Sequence, residues 1–168
     1  ENIVGEDAGN IFAVLGEGEA TSYLDGQWIG TLQEFDLESG YWLRVNEPSV
    51  VLSDRGIAFD PKREYNLNSG TNLISFPAMG SADLSTAIPD DVEHLFVNIL
   101  AEGNAASNTE DGWFGSLTTF DEGAGYWVDV SEDLSFSYET GGMARAEIKH
   151  YVETRPSGSA FTVAQSPN

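Results

Sequence analysis

Residues 15–47 lie over residues 100–132 without a gap, at a constant offset of 85, and this internal copy constrains the fold more than any other feature. LGEGEATSYLDGQWIGTLQEFDLESGYWLRVNE falls on LAEGNAASNTEDGWFGSLTTFDEGAGYWVDVSE. The positions that agree include Leu15/Leu100, Glu17/Glu102, Gly18/Gly103, Ala20/Ala105, Trp28/Trp113, Gly30/Gly115, Leu32/Leu117, Phe35/Phe120, Asp36/Asp121, Gly40/Gly125, Tyr41/Tyr126 and Trp42/Trp127. Segments that share glycines, aromatics and acids at one spacing solve one folding problem, so these positions outline a module.

Local pattern favours strands. Trp113, Phe114, Leu117, Tyr126, Trp127, Val128, Val130, Leu134, Phe136 and Tyr138 cluster β-branched and aromatic side chains in short runs separated by Gly, Asp and Ser. Between the copies, Tyr65, Leu67, Leu73, Ile74 and Phe76 predict two strand pieces around Asn68-Ser69-Gly70, and Pro77 ends the second by withholding an amide donor. The best helix is short: Ser81 or Asp83 caps a turn carrying Leu84, Ala87 and Ile88 before Pro89. Alternation from Ala144 to Thr154, and the run Phe161-Thr162-Val163, predict further strands.

The expected fold is mainly β: two tandem homologous antiparallel β units, each with at most one short helix, plus extra C-terminal strands. Residues 1–60 form the first unit, 61–140 the second, and 141–168 the C-terminal strands or the start of a further module. Residues 54–64, with Arg55, Lys62 and Arg63, read as a charged connection, and residues 139–145 as a glycine-hinged exit. If the second unit opens with a hairpin at Tyr65, the matching segment of the first falls upstream of Glu1, so the first unit lacks its opening strands. Glu1 follows neither a start Met nor a signal-peptide pattern, which predicts a mature or trimmed product. An open sheet edge is a pairing template. Upstream sequence, the strands at 144–164, or a strand from another molecule could fill it.

Composition narrows the partners. Against 28 acidic residues stand 7 basic ones, a formal charge of -21 that repels phosphate backbones and anionic bilayers, so neither nucleic acid nor membrane insertion is expected. No cysteine is present, which excludes disulfides and thiolate zinc sites. No apolar run approaches the roughly 20 residues of a spanning helix. The glycines sit in β-turn surroundings with no phosphate-binding loop, and no Ser-His-Asp set has a nucleophile-elbow context.

The order NLISFP (Asn72–Pro77), EGNAAS (Glu102–Ser107), GWFGSL (Gly112–Leu117) and GYW (Gly125–Trp127), echoed by EGEATS, QWIGTL and GYW in the first copy, resembles a tandem module of large secreted proteins of environmental, often marine, bacteria. The tail RPSGSAFTVAQS is similar to the start of a further module. The resemblance implies a non-catalytic β-rich accessory unit, secreted or displayed at the cell surface.

Several residues are candidates for a site. Glu17 and Glu102 sit in L-x-E-G-x-A-x-S strings; as hydrogen-bond acceptors in glycine turns they are structural, and as acids they would serve a carbohydrate-active enzyme, which needs two carboxylates about 5–10 Å apart. Trp28, Tyr41, Trp42, Trp113, Tyr126 and Trp127 could stack on sugar rings. Adjacent Tyr and Trp on a strand point to opposite faces, so one of each pair is expected in the core and the other outside. Asp36, Glu38, Asp121, Glu122, Asp129, Glu132 and Asp133 could supply hard oxygen ligands to Ca2+, although no calcium-loop motif occurs. His94 and His150 stand alone, without transition-metal spacing. The leading expectation is a non-catalytic extracellular binding or assembly module, with polysaccharide as partner through exposed aromatics and no required cofactor. Two rivals are a self-assembling filament subunit that pairs with its own copies through the open edge, and the secreted enzyme using Glu17 or Glu102.

Overall fold

The computed structural model describes residues 10–46, 60, 62–140 and the backbone of 160–161. In chain order its strands are β1 (Ile11–Leu15), β2 (Ala20–Leu24), β3 (Gln27–Gly30), β4 (Tyr41–Val45), β5 (Tyr65–Leu67), β6 (Gly70–Ser75), β7 (Ser81–Asp83), β8 (Phe96–Ala101), β9 (Asn104–Thr109), β10 (Gly112–Gly115), β11 (Thr119–Asp121), β12 (Gly125–Val130), β13 (Leu134–Phe136) and β14 (Ala160–Phe161). One-turn helices α1 (Leu84–Ala87) and α2 (Asp90–Glu93) lie between β7 and β8. The protein is mainly β, built from antiparallel sheets: a first sheet β14-β4-β1-β2-β3, a second sheet β10-β9-β8-β12-β6, and the two-stranded pairs β11-β7 and β13-β5.

The two large sheets share one pairing register at the sequence offset. Ala13 faces Ser22 and Val14 faces Thr21 in the first sheet; Asn98 faces Ser107 and Ile99 faces Ala106 in the second. Tyr23 opposes Trp28 as Asn108 opposes Trp113. Leu15 opposes Trp42 as Leu100 opposes Trp127, and each pairing skips one residue at the matched place, Phe12 in β1 and Val97 in β8.

The repeated residues explain why. At Gly30 and Gly115 the chain leaves the hairpin so close to the preceding strand that an added Cβ would collide with the carbonyl oxygens of Ala20 and Ala105. That crowding lets two successive amides reach one acceptor: Thr31 and Leu32 donate to Ala20 O at 2.9 and 3.2 Å, Ser116 and Leu117 to Ala105 O at 2.9 and 3.0 Å. The turn delivers Leu32 and Leu117, both buried, to their cores. Gly and Leu are thus fixed by one close approach.

The cores differ in size. The second sheet covers a large cluster that includes Tyr65, Phe76, Phe96, Phe120, Tyr126, Phe136 and Tyr138. Phe120 stacks on Phe76 at 5.5 Å and meets Tyr126 and Tyr138 edge-on at 4.8 and 5.2 Å. The first sheet buries Ile11, Val14, Leu32, Tyr41 and Leu43, with Trp28, Phe35 and Val45 packed partly against them. Each of these eight has its counterpart in the larger cluster. Among the described residues the smaller cluster has no counterparts of Tyr65 to Ile88 or of Leu134, Phe136 and Tyr138, and Phe35 is half-buried where Phe120 is sealed. Full burial of such a ring is worth roughly 1.5–3 kcal/mol.

The expected opening hairpin is not one. β5 and β6 do not pair with each other; β6 pairs with β12 and β5 with β13, so two long antiparallel segments run side by side and bend together at residues 68–69 and 131–133. The bend is braced by Ser69 N donating to Asp133 Oδ1 at 2.7 Å, and by Asn72, whose side chain accepts from Asn68 N and donates to Asn68 O. Side-chain bonding of this kind substitutes for ladder bonds where a strand turns a corner. The short helix forms at 84–87 as expected, but Asp83 makes no side-chain cap, and a further turn follows Pro89. The alternation at 144–154 lies outside the described residues.

Burial decides two outcomes. The Tyr138 hydroxyl is buried without a hydrogen-bond partner among the described residues, and such a group costs about 1–3 kcal/mol. Tyr138→Phe is therefore expected to raise unfolding stability by about 1 kcal/mol in urea titrations. Burial also holds the phenols of Tyr41, Tyr65, Tyr126 and Tyr138 above the ordinary value of 10.0. These neutral phenols favour the fold fully below pH 10, and stability falls as pH rises from 10 toward the folded-state values, because the unfolded chain ionises first. Ionisation of these four phenols should accompany the cooperative loss of circular dichroism and not precede it.

Candidate functional site

The contact between the sheets uses three repeated positions of the first copy, Glu17, Gly18 and Gly40. β6 is the edge strand of the second sheet, and its outward amides, at Leu73 and Ser75, need acceptors. The β1–β2 turn supplies one. Gly16 N bonds to Glu19 O at 2.8 Å, and Gly18 holds a positive φ of 72° that other residues rarely adopt. The turn projects Glu17, whose Oε2 accepts the amide of Leu73 at 2.8 Å.

Residues 37–40 supply the rest. Ser75 N donates to Glu38 O at 2.9 Å, Gly40 N donates to Leu73 O at 3.0 Å, and Ser39 bridges antiparallel to Ile74. Ser75 Oγ, fully buried, donates to Leu37 O at 2.9 Å and meets the Tyr65 hydroxyl at 3.0 Å. A Cβ on Gly40 would lie 2.7 Å from Ile74 O, so this approach demands glycine. The Glu38 carboxylate pairs with the Arg63 guanidinium, tying the same loop to the start of β5. The edge of β6 is thereby closed by a short backbone ladder, a carboxylate and an ion pair.

Glu102 occupies the matching turn between β8 and β9, where Gly103 repeats the positive φ at 75°. The fold places the sequence-nominated aromatics in three settings. Tyr41 and Tyr126 are core residues whose hydroxyls accept the amides of Asp36 and Asp121 at 2.7 and 2.6 Å, which accounts for the Asp-x4-Tyr repeat. Trp28 and Trp113 are half-buried against the two cores; Trp28 lies 5.3 Å from Tyr23, and Trp113 Nε1 donates to Glu93 Oε1 at 2.7 Å. Trp42 and Trp127 point to the opposite face from their neighbouring tyrosines and are half-buried. Trp42 Nε1 is itself buried without a partner among the described residues.

The face carrying Trp127 also presents Leu100 at 44% and Phe114 at 78% exposure, and the matching face of the first sheet presents Leu15 at 38% and Ile29 at 57%. Phe114 and Ile29 differ in sequence, so the residue match alone missed them; their shared signal is the position before the repeated glycine. Ser75 was likewise missed, and its only signal is a hydroxyl inside an apolar strand.

The carboxylates nominated for Ca2+ are dispersed. Asp129 accepts from Asn98 at 3.4 Å, Asp133 from Ser69 N at 2.7 Å and Glu122 from Gly80 N at 2.8 Å, while Glu38 holds Arg63. Among the described residues no three His, Asp or Glu side chains converge as a metal set. Among the same residues no helix is long and apolar enough to cross a membrane. Compared with known protein families, curated proteins and solved structures, the chain matches none.

The Glu17 contact is directly testable. Glu17→Ala strips an acceptor from the Leu73 amide and is expected to cost about 1 kcal/mol of stability and to speed hydrogen exchange at Leu73. Glu17→Gln keeps a carbonyl oxygen and should lose less than half as much.

Proposed function

We propose that this chain is a non-catalytic extracellular binding or assembly module of a secreted or cell-surface bacterial protein, made of two copies of one β unit. The observation that carries the reading is the use of Glu17. The sharpest repeated acid of the first copy accepts a backbone amide of the second sheet at 2.8 Å, a scaffolding task that leaves one of its oxygens committed before any substrate arrives. Other repeated positions, at Gly30, Leu32, Asp36, Gly40 and Tyr41, are also accounted for by close approaches, core packing or the sheet contact.

For a polysaccharide ligand, the supporting feature is the outer face of each sheet. Trp127 beside Leu100 and Phe114, and Trp42 beside Leu15 and Ile29, give two apolar strips with related composition. Partly exposed aromatic and aliphatic side chains on a flat sheet suit the apolar faces of sugar rings. The acidic chain selects against polyanionic glycans.

A glycan array probed with and without calcium tests this. Binding to neutral or weakly charged polysaccharides is expected, to fall at least tenfold in Phe114→Ala and to persist in the Glu17→Gln/Glu102→Gln double variant. Hydrolysis of a bound glycan that disappears in that double variant would replace the module with the enzyme reading.

A further inference from the structure

The first sheet has a strand where the second has β6. β14 pairs antiparallel with β4 so that Ala160 faces Trp42 and Phe161 faces Tyr41. In the second sheet Leu73 faces Trp127 and Ile74 faces Tyr126. Trp42/Trp127 and Tyr41/Tyr126 are matched pairs, so Ala160 and Phe161 hold the register positions of Leu73 and Ile74. The flanking sequence agrees in kind: Ser159-Ala160-Phe161-Thr162-Val163 lies over Asn72-Leu73-Ile74-Ser75-Phe76, with polar, apolar, apolar, hydroxyl and apolar residues in order.

The correspondence extends across the sheet contact. β6 lies against β4, whose preceding loop caps its outer edge, and β14 likewise lies against β12. By the sequence offset, the counterparts of that cap are Glu102, which matches Glu17, and the loop 122–125, which matches 37–40 and ends in the repeated glycine. The first core also needs an added strand, since Phe35 is left half-buried where Phe120 is enclosed by Phe76 and Tyr138.

We propose that β4 on one side, and Glu102 with residues 122–125 on the other, form a receiving slot for one extended strand. Its occupant is this chain's own segment around Ala160 and Phe161, and the Ala160 amide donates to the Glu102 carboxylate as Leu73 donates to Glu17. The two sheets then embrace reciprocally: each caps the edge strand that completes the other. An edge buried on both sides is removed as a template for pairing with other molecules. The proposal stands whether or not the outer faces bind a glycan, and it favours intrachain closure over strand donation between copies.

Geometry supplies the test. The amides of Leu73 and Ser75 point away from β12, so Leu73 and Trp127 are a non-hydrogen-bonded pair. By register Ala160 and Trp42 are too, with Cα atoms roughly 4.5 Å apart, within reach of a disulfide. The chain has no cysteine to interfere. Trp42→Cys/Ala160→Cys should oxidise to an intramolecular disulfide in a monomer, seen as faster migration without reductant. The off-register control Trp42→Cys/Phe161→Cys places its thiols on opposite faces and should not. If loss of Trp42 impairs folding, Arg44→Cys/Gly158→Cys probes the same register two residues along.

Disulfide-linked dimers as the main product would overturn intrachain occupancy, and equal bridging of the off-register pair, or none in either on-register pair, would overturn the slot. The Glu102 contact has its own readout. Glu102→Ala is expected to speed hydrogen exchange of the Ala160 amide at least tenfold while the Phe161 amide, which faces β4, changes less. Unchanged exchange at Ala160 would remove Glu102 from the slot.

Discussion

The outer edge of β6 is the constraint on which the arrangement of the two sheets depends. Its outward amides at Leu73 and Ser75 and its carbonyl at Leu73 are strong hydrogen-bonding groups on a strand buried by both faces, and leaving them bare would cost free energy or invite another chain. The first sheet meets this need with a carboxylate, two backbone groups and an ion pair, drawn from the β1–β2 turn and the loop before β4. Turn and loop both belong to the repeated segment, and two of the residues that close the contact, Glu17 and Gly40, recur as Glu102 and Gly125, whereas Glu38 and Ser39 are replaced by Gly123 and Ala124.

That origin explains an otherwise ambiguous repeat. Glycines, an acid and adjacent aromatics in duplicate could mark a ligand site. Instead Gly30 and Gly115 mark a carbonyl receiving two amides, Asp36 and Asp121 mark amides held by buried phenols, and Gly40 marks backbone pressed against a neighbouring strand. Exposed apolar surface is left to positions that repeat in place and not in identity, such as Ile29 and Phe114, where burial imposes no requirement and exposure remains high. Scaffold and surface are separated residue by residue along the same strands.

The two clusters of the described residues are unequal in size. Tyr65, Phe76 and the helix residues Leu84 and Ala87 enclose the second cluster. The first retains the same central residues with fewer partners among the described residues, and Phe35 is half-buried there. β14 answers this shortage at the matching register.

The sequence by itself determined the β class, the strands around Trp113, Tyr126–Val130, Leu134–Phe136 and Leu73–Ser75, and the opposed faces of Tyr41 and Trp42, because turn glycines and two-residue alternation are local and speak through neighbouring residues. It also marked Glu17 as an acceptor in a glycine turn. Only the tertiary structure decided that the amide it accepts lies 56 residues away in Leu73, that β5 and β6 part company at a shared bend, and that Ala160 and Phe161 sit beside β4. The physical reason is that unpaired backbone groups look alike in every strand; which donor meets which acceptor is set by where sheets dock, and docking has no local signature.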